Sequence, residues 1–165
     1  MINIGKLNLI TDVDGIHVGN SKDSEELTGV TVILPSERSV ASVDVRGGAP
    51  GTREIDALRP ENSVNKIDAI VFSGGSVFGL EASSSVTSWL KSNGRGLVVR
   101  GNTIPIVPSA IIFDFPIKPD RNWNSSNPFS YLGQEACKNI SKNFKLGNEG
   151  AGLGATAGMI KGGLG

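Results

Sequence analysis

Histidine and cysteine are nearly missing from this chain, with one of each, His17 and Cys137. A lone thiol closes no internal disulfide and builds no cysteine-based zinc site, and Cys137, set in an apolar helical pattern, reads as packing filler. His17 stands between Ile16 and Val18 in a strand-like run, which assigns it to structure. A Ser–His–Asp triad needs an imidazole held by a carboxylate, and metal sites usually need more than one nitrogen or sulfur ligand. Neither can be built here, and the reading includes no metal and no cofactor. A hydrolase made from this sequence needs another base. An α-amino group, with a pKa of ~7.7–8.0, is a physical substitute.

Charge of one prevailing sign is also missing. The 16 basic and 16 acidic residues balance, so nothing argues for a nucleic-acid or anionic-membrane surface. No run approaches the ~18 apolar residues of a spanning helix. The opening MINIGKLNLI lacks the charged-then-apolar order of a signal peptide. A soluble cytoplasmic protein with no membrane partner is the expectation. No repeat or linker divides the 165 residues, so 1–165 reads as a single domain, long enough for a core.

Glycine, by contrast, is abundant, 22 of 165, against an average usage of ~7%. The glycines gather in loops, and one such loop lies in the stretch that organises the chain, DAIVFSGGSVFGLEASSSVTSWL from Asp68 to Leu90. Ile70, Val71 and Phe72 suit a strand buried on both faces. Ser73-Gly74-Gly75-Ser76 breaks it. Ser76 is placed to cap a helix with Phe78, Ala82, Val86, Trp89 and Leu90 on one side, ended by Asn93-Gly94. A glycine turn feeding a helix start offers free N–H groups to a carboxylate, a phosphate or an oxyanion.

Around this stretch, residues 7–20 read as two strand pieces about an Asp14-Gly15 turn. Residues 29–34 and 39–45 read as strands, the second alternating Val40, Val43 and Val45 with small or polar residues. RGGAPGTR, residues 46–53, is a loop. Residues 58–66 read as a helical turn, 96–100 as a strand, and 104–115 as a strand made irregular by Pro105 and Pro108. Residues 118–127 are polar and irregular. Residues 128–144 hold a helix with Tyr131, Leu132, Ala136 and Ile140 on one face. Strands in succession with only two clear helices suit an α+β sandwich rather than a βαβ repeat.

Each motif has a bland competitor. GGSVFG, residues 74–79, approaches the G-x-S-x-G nucleophile elbow, but Phe78 stands where the second glycine belongs, which favours the cap role for Ser76. GLGATA, residues 152–157, matches a dinucleotide fingerprint on paper but follows no strand. Arg46, Arg53, Glu54 and Asp56 flank the loop RGGAPGTREID, either as a salt-linked turn or as contacts beside a pocket. Lys161 sits in a glycine-dense segment where backbone can approach a ligand closely.

Taken together, ITDVDGIHVGN, TGVTVIL, VDVRGGAPGTRE, FSGGSVFGLEA, VPSAIIFDF and GNEGAGLGATAGMIKGGLG resemble the DmpA-type L-aminopeptidase/D-esterase family. That family includes the β-peptidyl aminopeptidases and the nylon-oligomer hydrolases. The resemblance runs in order over nearly the whole chain. It implies an α-β-β-α sandwich similar to N-terminal nucleophile hydrolases, incomplete here. It also implies a precursor that cuts itself before a Ser or Thr, which then attacks amides or esters of an N-terminal amino acid. The family's cut, nucleophile and oxyanion Asn lie beyond the position matching Gly165, so no catalytic residue is expected in this chain. Alone it should be inert.

Substrate-binding positions implied by the resemblance are Gly74, Gly75, Ser76 and Phe78, the last standing where some members place a Tyr. Lys161 is a stand-in for a Lys or Arg that several members carry at the position of Met159. Glu54 and Glu149 are candidates for holding a substrate ammonium. Expected partners are a peptide or amino-acid amide substrate, the missing C-terminal portion, and further copies in a homo-oligomer. Two other functions remain open: a non-catalytic binding or assembly module of the same fold, and acyl transfer like that of ornithine acetyltransferases.

Overall fold

The structure, a computed structural model, describes residues 5–123, 125–158 and 160–165. In chain order the strands are β1 (Ile16–Asp23), β2 (Thr28–Pro35), β3 (Thr52–Arg53), β4 (Ile70–Ser73), β5 (Leu97–Val99), β6 (Asn102–Ile104), β7 (Ser109–Ile111), β8 (Thr156–Ala157) and β9 (Ile160–Lys161). The helices are α1 (Glu81–Ser92) and α2 (Phe129–Lys138). Five strands form one mixed sheet in the order β1-β2-β4-β7-β3, and β5-β6 and β8-β9 are separate ribbons.

The sheet grows from an antiparallel hairpin. β1 pairs with β2 from Ile16↔Pro35 to Asp23↔Thr28. β2 pairs antiparallel with β4, setting Val30 opposite Ser73 and Val32 opposite Val71. β4 and β7 run parallel, so the connection between them must cross over, and α1 makes that crossing. Cross-strand partners share a face. Val30, Val32 and Val71 therefore point together at the helical layer, where Ala82, Val86 and Leu90 of α1 and Phe129, Leu132 and Ala136 of α2 complete the core. Each of these is at most 3% exposed. Ser21 fixes α2 to β1 by donating to Leu132 O at 2.5 Å. Cys137 lies in this core as filler, with its thiol pushed up to about 12 by burial.

The opposite face is treated differently. The 3-10 turn Gly150–Gly152 covers its β1-β2 end, where Thr31 Oγ1 donates to Asn20 Oδ1 at 2.7 Å and accepts the Ala151 N–H at 3.1 Å. Beyond it Ile33, Ile70, Phe72 and Ala110 are only half-buried. Among the described residues no second multi-stranded sheet stacks there. The expected sandwich is thus present as one helical layer and one sheet.

Two buried aspartates bracket β4. Asp68, before it, accepts the Ile106 N–H at 2.9 Å and faces Arg38 at 3.2 Å and Arg95 at 3.8 Å. Burial pulls the Arg95 guanidinium below its usual value, with Asp68 opposing that shift. Asp114, the second aspartate, belongs to the site below. Among the described residues no helix is long and apolar enough to cross a membrane.

Several local expectations need correction. The first strand piece, from residue 7, is instead a 3-10 turn at Ile10–Asp12, because the Asp12 carboxylate gathers the N–H groups of Leu7 and Leu9 at 3.0 and 3.3 Å. Among the described residues, 39–45 find no strand partner beyond a single bridge, Ser39↔Ile67. The turn placed after Pro60 lies before it, at Asp56–Leu58. β4 is buried on one face, not two. The irregular stretch 104–115 resolves into the end of β6, a bend through Pro105 and Pro108, and β7. α2 stops at Lys138, and Tyr131 is 65% exposed. The strand holding His17, the break at Asn93-Gly94 and the 46–53 loop all stand, with β3 at the loop's end.

Candidate functional site

The site begins where β4 runs out. Ser73 turns its hydroxyl back to Gly79 O at 2.8 Å, closing a tight corner. Gly75 then takes φ 75° and Ser76 φ 55°, a left-handed pair that is costly for the serine. Side chains are excluded as well as strained here. A Cβ on Gly74 would collide with the Asp114 carboxylate and the Thr28 hydroxyl, and one on Gly75 with the Phe129 ring. Two glycines in a row are therefore a packing requirement.

Ser76 does not cap the helix. Ser76 instead opens a 3-10 segment, Ser76–Leu80, capped by Gly75, and Leu80 stands at the cap position of α1 without a side-chain bond. The N–H groups of the glycine turn itself are already taken. Gly74 N–H donates to Gly29 O at 2.9 Å and Ser76 N–H to Ile112 O at 3.1 Å. Between them, Gly75 N–H donates to Asp114 Oδ1 at 2.8 Å. What the turn puts forward is the Phe78 ring, 50% exposed.

Asp114 makes this corner rigid. It is fully buried, and its second oxygen accepts the Thr28 hydroxyl at 2.6 Å. The Arg121 guanidinium pairs with it, both side chains being 0% exposed, and donates to Leu27 O and Asp114 O at 3.2 Å each. A buried ion pair holds together only when further hydrogen bonds offset its desolvation, and the turn N–H and the Thr28 hydroxyl supply them. Gly154 of the tail abuts the same carboxylate, so Asp114 joins the turn to the glycine-rich segment.

Above the pair lies an aromatic nest. Arg121 sits 4.8 Å from the Phe115 ring centre and 5.5 Å from that of Trp123, within the range of cation–π attraction. Trp123 meets Phe78 and Phe129 edge-on, each at 5.4 Å between centroids. Between Phe78, Phe115 and Trp123, with Asn122 and Asn127 at the rim, opens a cleft of about 370 Å³, within the range typical of small-molecule sites.

Of the residues singled out in the sequence, Gly74, Gly75, Ser76 and Phe78 converge here. Lys161 instead ties its ribbon back, donating to Gly152 O at 3.1 Å and Gly162 O at 2.6 Å. Glu54, at φ 60°, spends its carboxylate on the Val107 N–H at 2.9 Å. Glu149 pairs with Lys22 at 2.8 Å. The loop charges also have local partners: Arg46 with Asp44 at 2.7 Å, Asp56 with Arg59 at 2.9 Å, Arg53 with the hydroxyls of Ser83 and Ser84. Met159 lies outside the described residues. Asp114, Arg121 and Trp123 escaped the sequence reading. One signal for them existed: a carboxylate inside IIFDF must find a buried cation or donors.

A Mycobacterium tuberculosis protein named an uncharacterized aminopeptidase is 44% identical over 167 residues, covering 96% of this chain and 47% of its own length. A 6-aminohexanoate-oligomer endohydrolase from a Kocuria strain is 31% identical, covering 94% and 41%. Among solved structures, the L-aminopeptidase D-Ala-esterase/amidase of Ochrobactrum anthropi, described as a variant of the Ntn hydrolase fold, superposes with a TM-score of 0.71 at 19% identity. It is matched over 98% of this chain and 48% of its own. The chain thus has the fold of those hydrolases and spans about half the length of its relatives. The model of peptidase family S58 matches residues 8–165, and the chain belongs to that family.

Proposed function

We propose that this chain is the scaffolding and substrate-binding half of an aminopeptidase or amidase that releases N-terminal amino acids from peptides, amides or esters. Three things support the reading: the family, the relatives' names, and a glycine turn locked by Asp114 at the mouth of an aromatic cleft. The turn carries most weight, because Gly75 N–H on Asp114 Oδ1 at 2.8 Å fixes the backbone that presents Phe78.

In the assembled enzyme the attacking hydroxyl is that of an N-terminal Ser or Thr on the other half, with its own α-amine as base. The hydroxyl oxygen adds to the scissile carbonyl, the amine leaves with a proton, and water then cleaves the ester. This chain holds the substrate during those steps. Phe78 packs against the first residue's side chain, and the Gly74–Ser76 backbone sets the floor. Lys161 is a further candidate contact for the substrate. The partners are a peptide or amino-acid amide, the complementary half, and further copies in a cytoplasmic homo-oligomer.

The test is co-expression of this chain with the half of the Mycobacterium tuberculosis relative that it does not match. The reading expects release of p-nitroaniline from L-aminoacyl p-nitroanilides only when both halves are present. It also expects a new N-terminal Ser or Thr by mass spectrometry. Full activity from an uncut chain would overturn it.

A further inference from the structure

An aminopeptidase substrate carries its ammonium group on the same carbon as its first side chain, so the two subsites must lie within a few ångströms of each other. The cleft beside Phe78 has room for the side chain but no free charge for the ammonium. Arg121 is cancelled by Asp114, and that carboxylate is fully buried and taken by the Gly75 N–H and the Thr28 hydroxyl. Glu54 and Glu149 are engaged elsewhere, on the Val107 N–H and on Lys22. Glu81 is different. It is exposed and opens α1 three residues after Phe78, a spacing that sets side chains next to each other on one face. Its Oε2 accepts the Asn127 Nδ2–H at 2.6 Å, and Asn127 lines the rim of the cleft. Asn127 is itself pinned, because its Oδ1 accepts the Phe129 N–H at 3.0 Å. Among the described residues Glu81 has no cationic partner, and its Oε1 accepts no hydrogen bond. An oriented carboxylate with one oxygen left over thus stands at the edge of the cleft.

We infer that Glu81 binds the N-terminal ammonium of the substrate, with Asn127 as the residue that positions its carboxylate. The inference rests on the aminopeptidase reading above and narrows the substrate class. The substrate is an amide or ester whose acyl part bears a free amine beside an apolar side chain. The side chain enters the aromatic cleft, and the ammonium donates to Glu81 Oε1. Such a charge-assisted hydrogen bond is stronger than a neutral one, and a substrate that covers the cleft shields it from water. An acylated amine has no charge to give and is refused. The Asn127–Glu81 bond also ties the start of α1 to the start of α2, where Ala82 and Phe129 are already fully buried in the core. A purely mechanical tie would need no charge.

Glu81→Gln is the variant to test, because the amide keeps an oxygen for Asn127 and removes only the charge. The first measurement follows the Asn127 side-chain amide by NMR in the 165-residue chain. L-leucinamide should shift that signal, and isocaproamide, the same molecule without its amine, should not. Glu81→Gln should abolish the shift. The second measurement uses the enzyme assembled from this chain and the unmatched half of the Mycobacterium tuberculosis relative. There Glu81→Gln should lower kcat/KM for L-leucine p-nitroanilide about 10-fold or more, the worth of a hydrogen bond to a charged group, and change isocaproyl p-nitroanilide by no more than about 2-fold. Asp120→Asn, which neutralises another exposed carboxylate, should leave both substrates unaffected. An Asn127 signal that ignores L-leucinamide, or that moves equally with both amides, overturns the inference. So do equal losses on the two p-nitroanilides, which mark a structural tie. If the assembled halves release no p-nitroaniline, the two-part reading fails, and the Asn127 signal alone decides for or against Glu81.

Discussion

Asp114 Oδ1 accepts the Gly75 N–H at 2.8 Å while the same carboxylate is ion-paired with the fully buried Arg121. The conformation of the turn is therefore coupled to a buried charge pair 39 residues away in sequence. Breaking such a pair from one side leaves an unpaired charge out of water, which costs about 3–5 kcal/mol. Asp114→Asn and Arg121→Met should each destabilise the chain by about that much in urea unfolding. The double substitution Asp114→Asn/Arg121→Met should cost clearly less than the sum, since neither charge is then stranded. Additive losses would show that the pair does not act as a unit.

The two turn glycines should be intolerant in a way that glycines elsewhere are not. Gly75→Ala combines φ 75° with a collision against Phe129, and Gly74→Ala collides with Asp114 and Thr28. Each should lower stability by about 2 kcal/mol or more. Gly48 has open space around the position of a Cβ. Gly48→Ala should be neutral or stabilising by about 0.4–1 kcal/mol, by restricting the unfolded chain. Thermal melts of the three variants check this.

The legible part of the molecule was its local grammar. GVTVIL and the β4 run showed as strands because β-branched residues continue unbroken up to a breaker, and α1 showed because Ala82, Val86 and Leu90 recur at helical spacing. Val40 to Val45 carries the same grammar but has no ladder here, since pairing depends on a neighbour that no residue of the segment encodes. At the site, the glycines announced a turn but not where its N–H groups go. Only tertiary contact brings Asp114 and Thr28 to them. Arg121, lost in the polar run 118–127, shows its role only beside a carboxylate that an apolar strand has carried inside.

Cys137 offers a pH test. Its thiol is pushed up to about 12 by burial, from an ordinary value of 9.0. Below pH 9 both folded and unfolded chains hold this proton, and the thiol adds no pH dependence. Between about 9 and 12 only the folded chain holds it, so its contribution to stability falls as pH rises, by up to about 1.4 kcal/mol per unit. Urea midpoints for the natural chain and Cys137→Ala should run parallel up to pH 9 and then converge, with the natural chain losing more. At pH 8 the native thiol should resist alkylation by iodoacetamide and react only on unfolding.

Phe78 gives the sharpest test of the proposed chemistry, because it can alter selectivity without touching the nucleophile. Its ring is half exposed and leans edge-on against Trp123 at 5.4 Å, so Phe78→Ala enlarges the cleft while Trp123 keeps its contact with Phe129. Burying a large apolar side chain is worth about 1.5–3 kcal/mol, and losing the wall that buries it forfeits a good part of that. In the assembled enzyme, kcat/KM for L-leucine and L-phenylalanine p-nitroanilides should fall about 10-fold or more. L-alanine p-nitroanilide, which reaches less of the ring, should lose only about 2- to 3-fold. An effect carried by KM alone would mean that the ring binds ground and transition states equally; a shared loss in kcat would mean that it also aligns the scissile bond. Equal losses for alanine and phenylalanine substrates would remove Phe78 from the side-chain pocket and leave it a support for the turn.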